Sequence, residues 1–307
     1  MLWNTTGTLS RSAPWQVSPS AALIEHKSAG YYERAFRRLA RNRIGWIGIL
    51  VLLINILCAA FAPRISPYPP LDVNINAILQ SPSISHWMGT DELGRDILSR
   101  TIYGAQISLM VMAISIILAL VFGSLLGLIS GYIGGGWDDL IMRTMDGLLA
   151  FPMLILALAI VAALGPKLEN AMIAIAIVTM PSFARLVRGE VLALKSAEFV
   201  TAAQCVGCPD RRVILSHIWP NVTGTVIVFA SLRAASAIIT EASLSFLGLG
   251  AQPPTATWGS MVAYGMSYWN LAWWMSFFPG LAIFITVLGL NFLGDGLRDA
   301  FDTRLQD

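Results

Sequence analysis

Residues 108–133, SLMVMAISIILALVFGSLLGLISGYI, contain no charged side chain, and comparable runs recur along the chain. A backbone surrounded by lipid must satisfy its own hydrogen bonds, and a helix needs about 20 mostly apolar residues to cross a bilayer. Five further stretches meet that requirement. They are 44–62 (IGWIGILVLLINILCAAFA), stopped by Pro63; 140–164, which Pro152 should bend; 170–187, interrupted by Pro181; 222–246; and 271–293. The expected fold is all-α, a polytopic membrane protein with about six transmembrane helices. Composition agrees: 56% of residues are hydrophobic and 12% charged, with a mean hydropathy of +0.67, whereas soluble domains carry about 25% charge. A net charge of +2 gives no footing for nucleic-acid binding.

Lysine and arginine near the span ends set the orientation. Arg34, Arg37, Arg38, Arg41 and Arg43 precede the first span, which places a cytoplasmic tail at 1–43. Residues 1–30 have no apolar core of a cleavable leader. Alternation then puts 63–107 outside and 188–221 inside. The inner loop carries Arg188, Lys195, Arg211 and Arg212, whereas 247–270 has no charge at all. The core membrane region is read as 108–294, followed by a second cytoplasmic tail at 295–307.

The inner loop, EFVTAAQCVGCPDRRVILSHIWPNV (198–222), holds Cys205 and Cys208 in a C-x-x-C spacing with His217 nearby. A zinc site needs about four ligands, and a redox pair belongs at a helix start beside a βαβ unit. Neither condition is met, so the cysteines read as packing residues. Ser196 is placed to cap a short helix with Glu198 near its positive end. Phe199, Ala203 and Val206 share one face at i, i+4, i+7. Gly207 should end the helix with a positive φ, and Pro209 and Asp210 should open a second one, DRRVILSHIW, ending near Pro220. The reading is a helix–turn–helix hairpin between two spans.

Glu198, Phe199, Val200, Ala202, Ala203 and Gly207, followed by His217, Ile218, Pro220 and Asn221, resemble the "EAA" loop of ATP-binding-cassette importer permeases. More narrowly, the chain is similar to the second permease subunit of the dipeptide/oligopeptide/nickel group. WMGTDELGRDILSRTIYGAQISL (87–109), GYIGGGWDDLIMRTMDGLLAFP (131–152), EASLSFLGLGAQPPTATWG (241–259) and FPGLAIFITVLGLNFLGDGLRDAFD (278–302) extend the resemblance. Thr201 departs from it, standing where many members have the glutamate that names the loop. The resemblance implies a type I importer permease fold in a bacterial inner membrane, with both termini cytoplasmic. It also implies partners: a second permease, two cytoplasmic ATPases and a periplasmic substrate-binding protein. No cofactor is expected on this chain; ATP and Mg belong to the ATPases. Glu198, Phe199, Val200, Ala202, Ala203, Val206, Gly207, Pro209, Asp210 and Arg211 are the expected ATPase-coupling residues. The solute would be a di- or oligopeptide, glutathione or a nickel chelate.

Two membrane residues are candidates for the solute pathway. Arg233 lies deep in the fifth span, where a charge is costly unless it faces a cavity or a partner. A substrate carboxylate, an interhelical ion pair and a broken helix all fit it. Glu241 either lines the exit or caps backbone at the break marked by Gly248, Gly250, Pro253 and Pro254. Trp269, Trp273 and Trp274 read as an interfacial aromatic belt. Thr90 reads as an N-cap, with Asp91 and Arg95 paired at i, i+4, and Arg143 and Asp146 read as a pair at i, i+3. The competing class is an ion-gradient-driven transporter, but no intramembrane acid pair or internal repeat supports it. No G-x-x-x-x-G-K-[ST] loop and no hydrolytic residue set occurs, so the chain is not expected to be an enzyme.

Overall fold

The first crossing is opened by Asn42, whose side-chain oxygen accepts hydrogen bonds from the Ile44 and Gly45 amides at 3.0 and 3.1 Å. The structure, a computed structural model, describes residues 39, 40 and 42–301. Most of the expected N-terminal tail, including Arg34, Arg37, Arg38 and Arg41, and residues 302–307 lie outside these. Among the described residues the chain is helical with no strand. In order, α1 is Arg43–Ala60, α2 Ile97–Ile133, α3 Gly135–Leu149, α4 Met153–Leu164 and α5 Leu168–Lys195. Then come α6 Glu198–Cys205, α7 Asp210–Phe246, α8 Trp258–Met266 and α9 Trp274–Phe301. Five helices (α1, α2, α5, α7 and α9) are long and apolar enough to cross a membrane, or six if α3 and α4 together make one broken crossing.

The third crossing bends more sharply than expected. The bend expected at Pro152 is there, but it is a full break in which α3 and α4 meet at 95°. Pro152 stands between them as the cap of α4, with extended ψ of 129°, so the helical hydrogen-bond ladder stops there. Pro181 does the reverse: α5 runs through it unbroken. A single missing donor costs less than the packing it would disrupt, because α2 presses on α5 along this stretch. Gly123, Gly127 and Gly131 form a stripe on α2, and a Cβ on Gly127 would stand 2.5 Å from the Ala184 carbonyl. Small residues at i, i+4, i+8 let the two backbones meet, and dispersion contacts then hold them.

With 37 residues each, α2 and α7 are about 55 Å long, far more than the roughly 30 Å of bilayer hydrocarbon. Each projects beyond it. α2 begins at Ile97, well ahead of the expected 108, inside a cap made by the 66–96 loop. Here Asp96 is the N-cap, accepting from the Ser99 amide at 2.8 Å and pairing with His86 at 3.0 Å. Thr90 is therefore not the cap. It is fully buried, and its hydroxyl donates to the Ala77 carbonyl. Asp91 does pair with Arg95, at 2.6 Å, and also faces Arg100 at 3.4 Å. Trp274 does not belong to a membrane belt: it is 6% exposed and its indole donates to the Thr90 carbonyl at 3.1 Å. Trp258 pins α8 to α2 in the same way, through the Thr101 carbonyl at 2.9 Å. Trp269 and Trp273 remain exposed. At the opposite end Asp146 pairs not with Arg143 but with Arg185, at 2.6 Å, tying α3 to α5.

Candidate functional site

The 196–212 hairpin sits where α2 ends and α5 and α7 meet. α6 starts after Ala197 with no side-chain cap. Ser196 does not cap it, because its hydroxyl donates backwards to the Ala193 carbonyl at 3.0 Å. Glu198 occupies the first turn as expected. The turn is closed by Gly207 at φ +81, a conformation costly for residues with a Cβ. Pro209 then caps the Asp210 turn. The second helix does not stop near Pro220. A π-helical segment, Val213–Ile218, carries it into the long span, with the Trp219 amide reaching back to the Ile214 carbonyl. Pro220 cannot donate to a carbonyl four residues back, and the wider turn absorbs that defect.

The hairpin has two faces. Val200, Val213 and Ile218 are each 0% exposed and belong to the main apolar core. Phe199 and Val206 point away, 45% and 84% exposed, with Ala203 partly covered between them. The stripe read from helical spacing thus exists, but as an uncovered surface. Ala202, Pro209, Asp210 and Arg211 are also exposed. Val200, grouped with them in the sequence, instead anchors the hairpin. Cys205 is exposed, Cys208 is partly buried, and both are free thiols. Among the described residues no group of three His, Cys, Asp or Glu is arranged to hold a metal.

Charged residues brace the same end of the bundle. Arg188 of α5 grips Asp138 of α3 with two bonds, at 2.6 and 2.7 Å. Asp138 also accepts a hydrogen bond from the Ser130 hydroxyl of α2. Lys195 donates to the Tyr132 carbonyl at 2.6 Å, and the Tyr132 hydroxyl donates to Asp210 at 2.5 Å. Sequence reading missed Tyr132, because nothing local distinguishes one tyrosine at the end of an apolar helix.

The pathway candidates separate. Arg233 is half-buried with its guanidinium 4.8 Å from the Phe229 ring centroid, which is a cation–π distance. No acidic partner lies in ion-pair range among the described residues, and the helix is unbroken there. Next to this face, Leu186, Val228, Phe229, Leu232 and Arg298 line an open cavity of about 480 Å³. Glu241 neither lines an open passage in this conformation nor caps backbone. It is 1% exposed, and one carboxyl oxygen accepts from the Ser245 hydroxyl at 2.8 Å. The break expected at Gly248, Gly250, Pro253 and Pro254 does begin there, with the helix ending at Phe246 and Gly248 at φ +77.

Comparison with known proteins bears on this arrangement. Residues 123–307 match the family described as binding-protein-dependent transport system inner membrane component. Residues 30–82 match the N-terminal TM domain of oligopeptide transport permease C. The dipeptide transport system permease protein DppC of Alkalihalophilus pseudofirmus is 45% identical, over 92% of this chain and 93% of that protein. The di/tripeptide transport system permease protein DppC of Pseudomonas aeruginosa is 44% identical over 89% and 92%. The glutathione transport system permease protein GsiD of Escherichia coli is 45% identical over 88% and 90%. The chain belongs to the binding-protein-dependent transport system inner membrane component family, as a multi-pass permease subunit of an ATP-binding-cassette transporter.

Proposed function

We propose that this chain is one of two permease subunits in a peptide importer, and that its 196–212 hairpin docks on a cytoplasmic ATPase. The observation that carries the docking is the uncovered apolar stripe of Phe199 and Val206 on a hairpin whose other face is locked into the bundle. A rigid element with exposed apolar anchors suits a groove on a partner. Asp210, Arg211 and Arg212 supply a polar rim. Two ATPases bind and hydrolyse MgATP, and their closure pushes the hairpin and alternates the bundle between inward- and outward-open states.

In this reading the hairpin end, with both chain termini, faces the cytoplasm. The 66–96 cap faces a periplasmic binding protein, and a second permease completes the pathway. The solute is a short peptide, the substrate class named for the relatives that carry dipeptides, tripeptides and glutathione. Arg233 meets the peptide's carboxylate, while Glu241 has no contact with solute.

The test is uptake by proteoliposomes holding the assembled complex, combined with thiol cross-linking from Cys205, an exposed native handle. Peptide uptake should require ATP and binding protein, persist with a proton ionophore, and coincide with a Cys205-to-ATPase cross-link. Uptake abolished by the ionophore at constant ATP, or a Cys205 that never reaches the ATPase, would overturn the proposal.

A further inference from the structure

The hairpin is joined covalently only to α5 and α7, yet a third element also holds it. Tyr132, in the last turn of α2, is 7% exposed and donates its hydroxyl to Asp210 Oδ1 at 2.5 Å across 78 residues of sequence. The same residue is held from α5, where Lys195 Nζ donates to its carbonyl at 2.6 Å and lies 5.3 Å from its ring centroid. After Ile133 come Gly134 and Gly135, both at positive φ, with nothing within 4 Å of where a Cβ would stand on either. The α2–α3 corner is therefore unobstructed. Just beyond it, Asp138 is tied to Ser130 and Arg188.

We propose that the Tyr132–Asp210 hydrogen bond is a latch that carries hairpin movement into α2 and the α2–α3 corner, with Tyr132 as a positioning residue for coupling. It rests on the docking of the hairpin proposed above. Movement of α6 reaches α5 and α7 through the chain itself. The end of α2 can follow only through non-covalent contacts, and beside the Lys195 bond to the Tyr132 carbonyl this is the link that reaches it from the hairpin: a short, charge-assisted bond with a carboxylate acceptor. The glycine corner passes that pull on toward α3, to which the end of α2 is also tied by the Ser130–Asp138 hydrogen bond.

Tyr132→Phe keeps the ring and its packing and removes only the hydroxyl. In the reconstituted complex the peptide transported per ATP hydrolysed should fall about 10-fold, the size expected from losing one hydrogen bond to a charged acceptor. Asp210→Ala, at an exposed position, breaks the same bond from its other end, and the double variant should fall no further than Asp210→Ala alone. An unchanged ratio in Tyr132→Phe, or a double variant whose loss is the product of the two single losses, overturns the latch. Cross-linking from Cys205 separates the two ideas. A cross-link that forms while the ratio stays unchanged sinks the latch alone; a cross-link that never forms sinks the docking and the latch with it.

Discussion

Val200 and Val206 lie on one short hairpin, and truncating each to alanine removes the same two methyl groups with opposite expected consequences. Val206 is 84% exposed. At about 0.8 kcal/mol per buried carbon group, covering it in a partner groove contributes about 1.3 kcal/mol, and its loss weakens ATPase binding about 10-fold. The entropic costs of association are common to both forms and cancel in the comparison. The fold loses almost nothing, since none of the described residues packs closely over that side chain. Val200 is 0% exposed within the main core. Its truncation removes the same transfer energy and leaves a cavity, costing about 2 kcal/mol of stability. The assay is titration of the ATPase subunit onto nanodisc-held permease, with thermal unfolding measured on the same samples. Val206→Ala should bind about 10-fold more weakly and melt like the wild type. Val200→Ala should melt several degrees lower and, where folded, bind normally. Wild-type affinity in Val206→Ala, or a lowered melting temperature there, would refute the assignment of the two faces.

Gly127→Ala should destabilise by about 1–3 kcal/mol through overpacking, read as a lower melting temperature. Gly147→Ala, where no atom lies within 4 Å of the added Cβ, should be neutral or stabilising by up to about 1 kcal/mol. Arg233→Gln should raise KM for peptides with a free carboxylate by about 10-fold, measured by uptake, and leave C-terminally amidated peptides unaffected. Asp138→Asn should lower the melting temperature, because it removes the carboxylate that Arg188 holds with two bonds.

Much of this was legible without coordinates, because the controlling signals are local. Apolar run length selects helices and their number, and positive φ at Gly207 follows from glycine between two helix-compatible segments. The i, i+4, i+7 stripe on α6 was readable by the same logic. Signals that depend on a distant partner were not. Proline gave opposite outcomes at 152, 181 and 220 because neighbouring packing decides whether a missing donor ends a helix. Arg143 and Arg185 are equally plausible partners for Asp146 until α3 is laid against α5. Trp274 resembled an interfacial anchor until the 66–96 loop folded over it. Apolar and charge patterning along the chain determined the membrane class, the crossings and the location of the hairpin, since each arises from side-chain chemistry over a few turns. Which face of that hairpin stays uncovered, and that Tyr132 reaches Asp210, was decided only by tertiary structure, because those facts depend on helices far apart in sequence being brought within a few ångströms of one another.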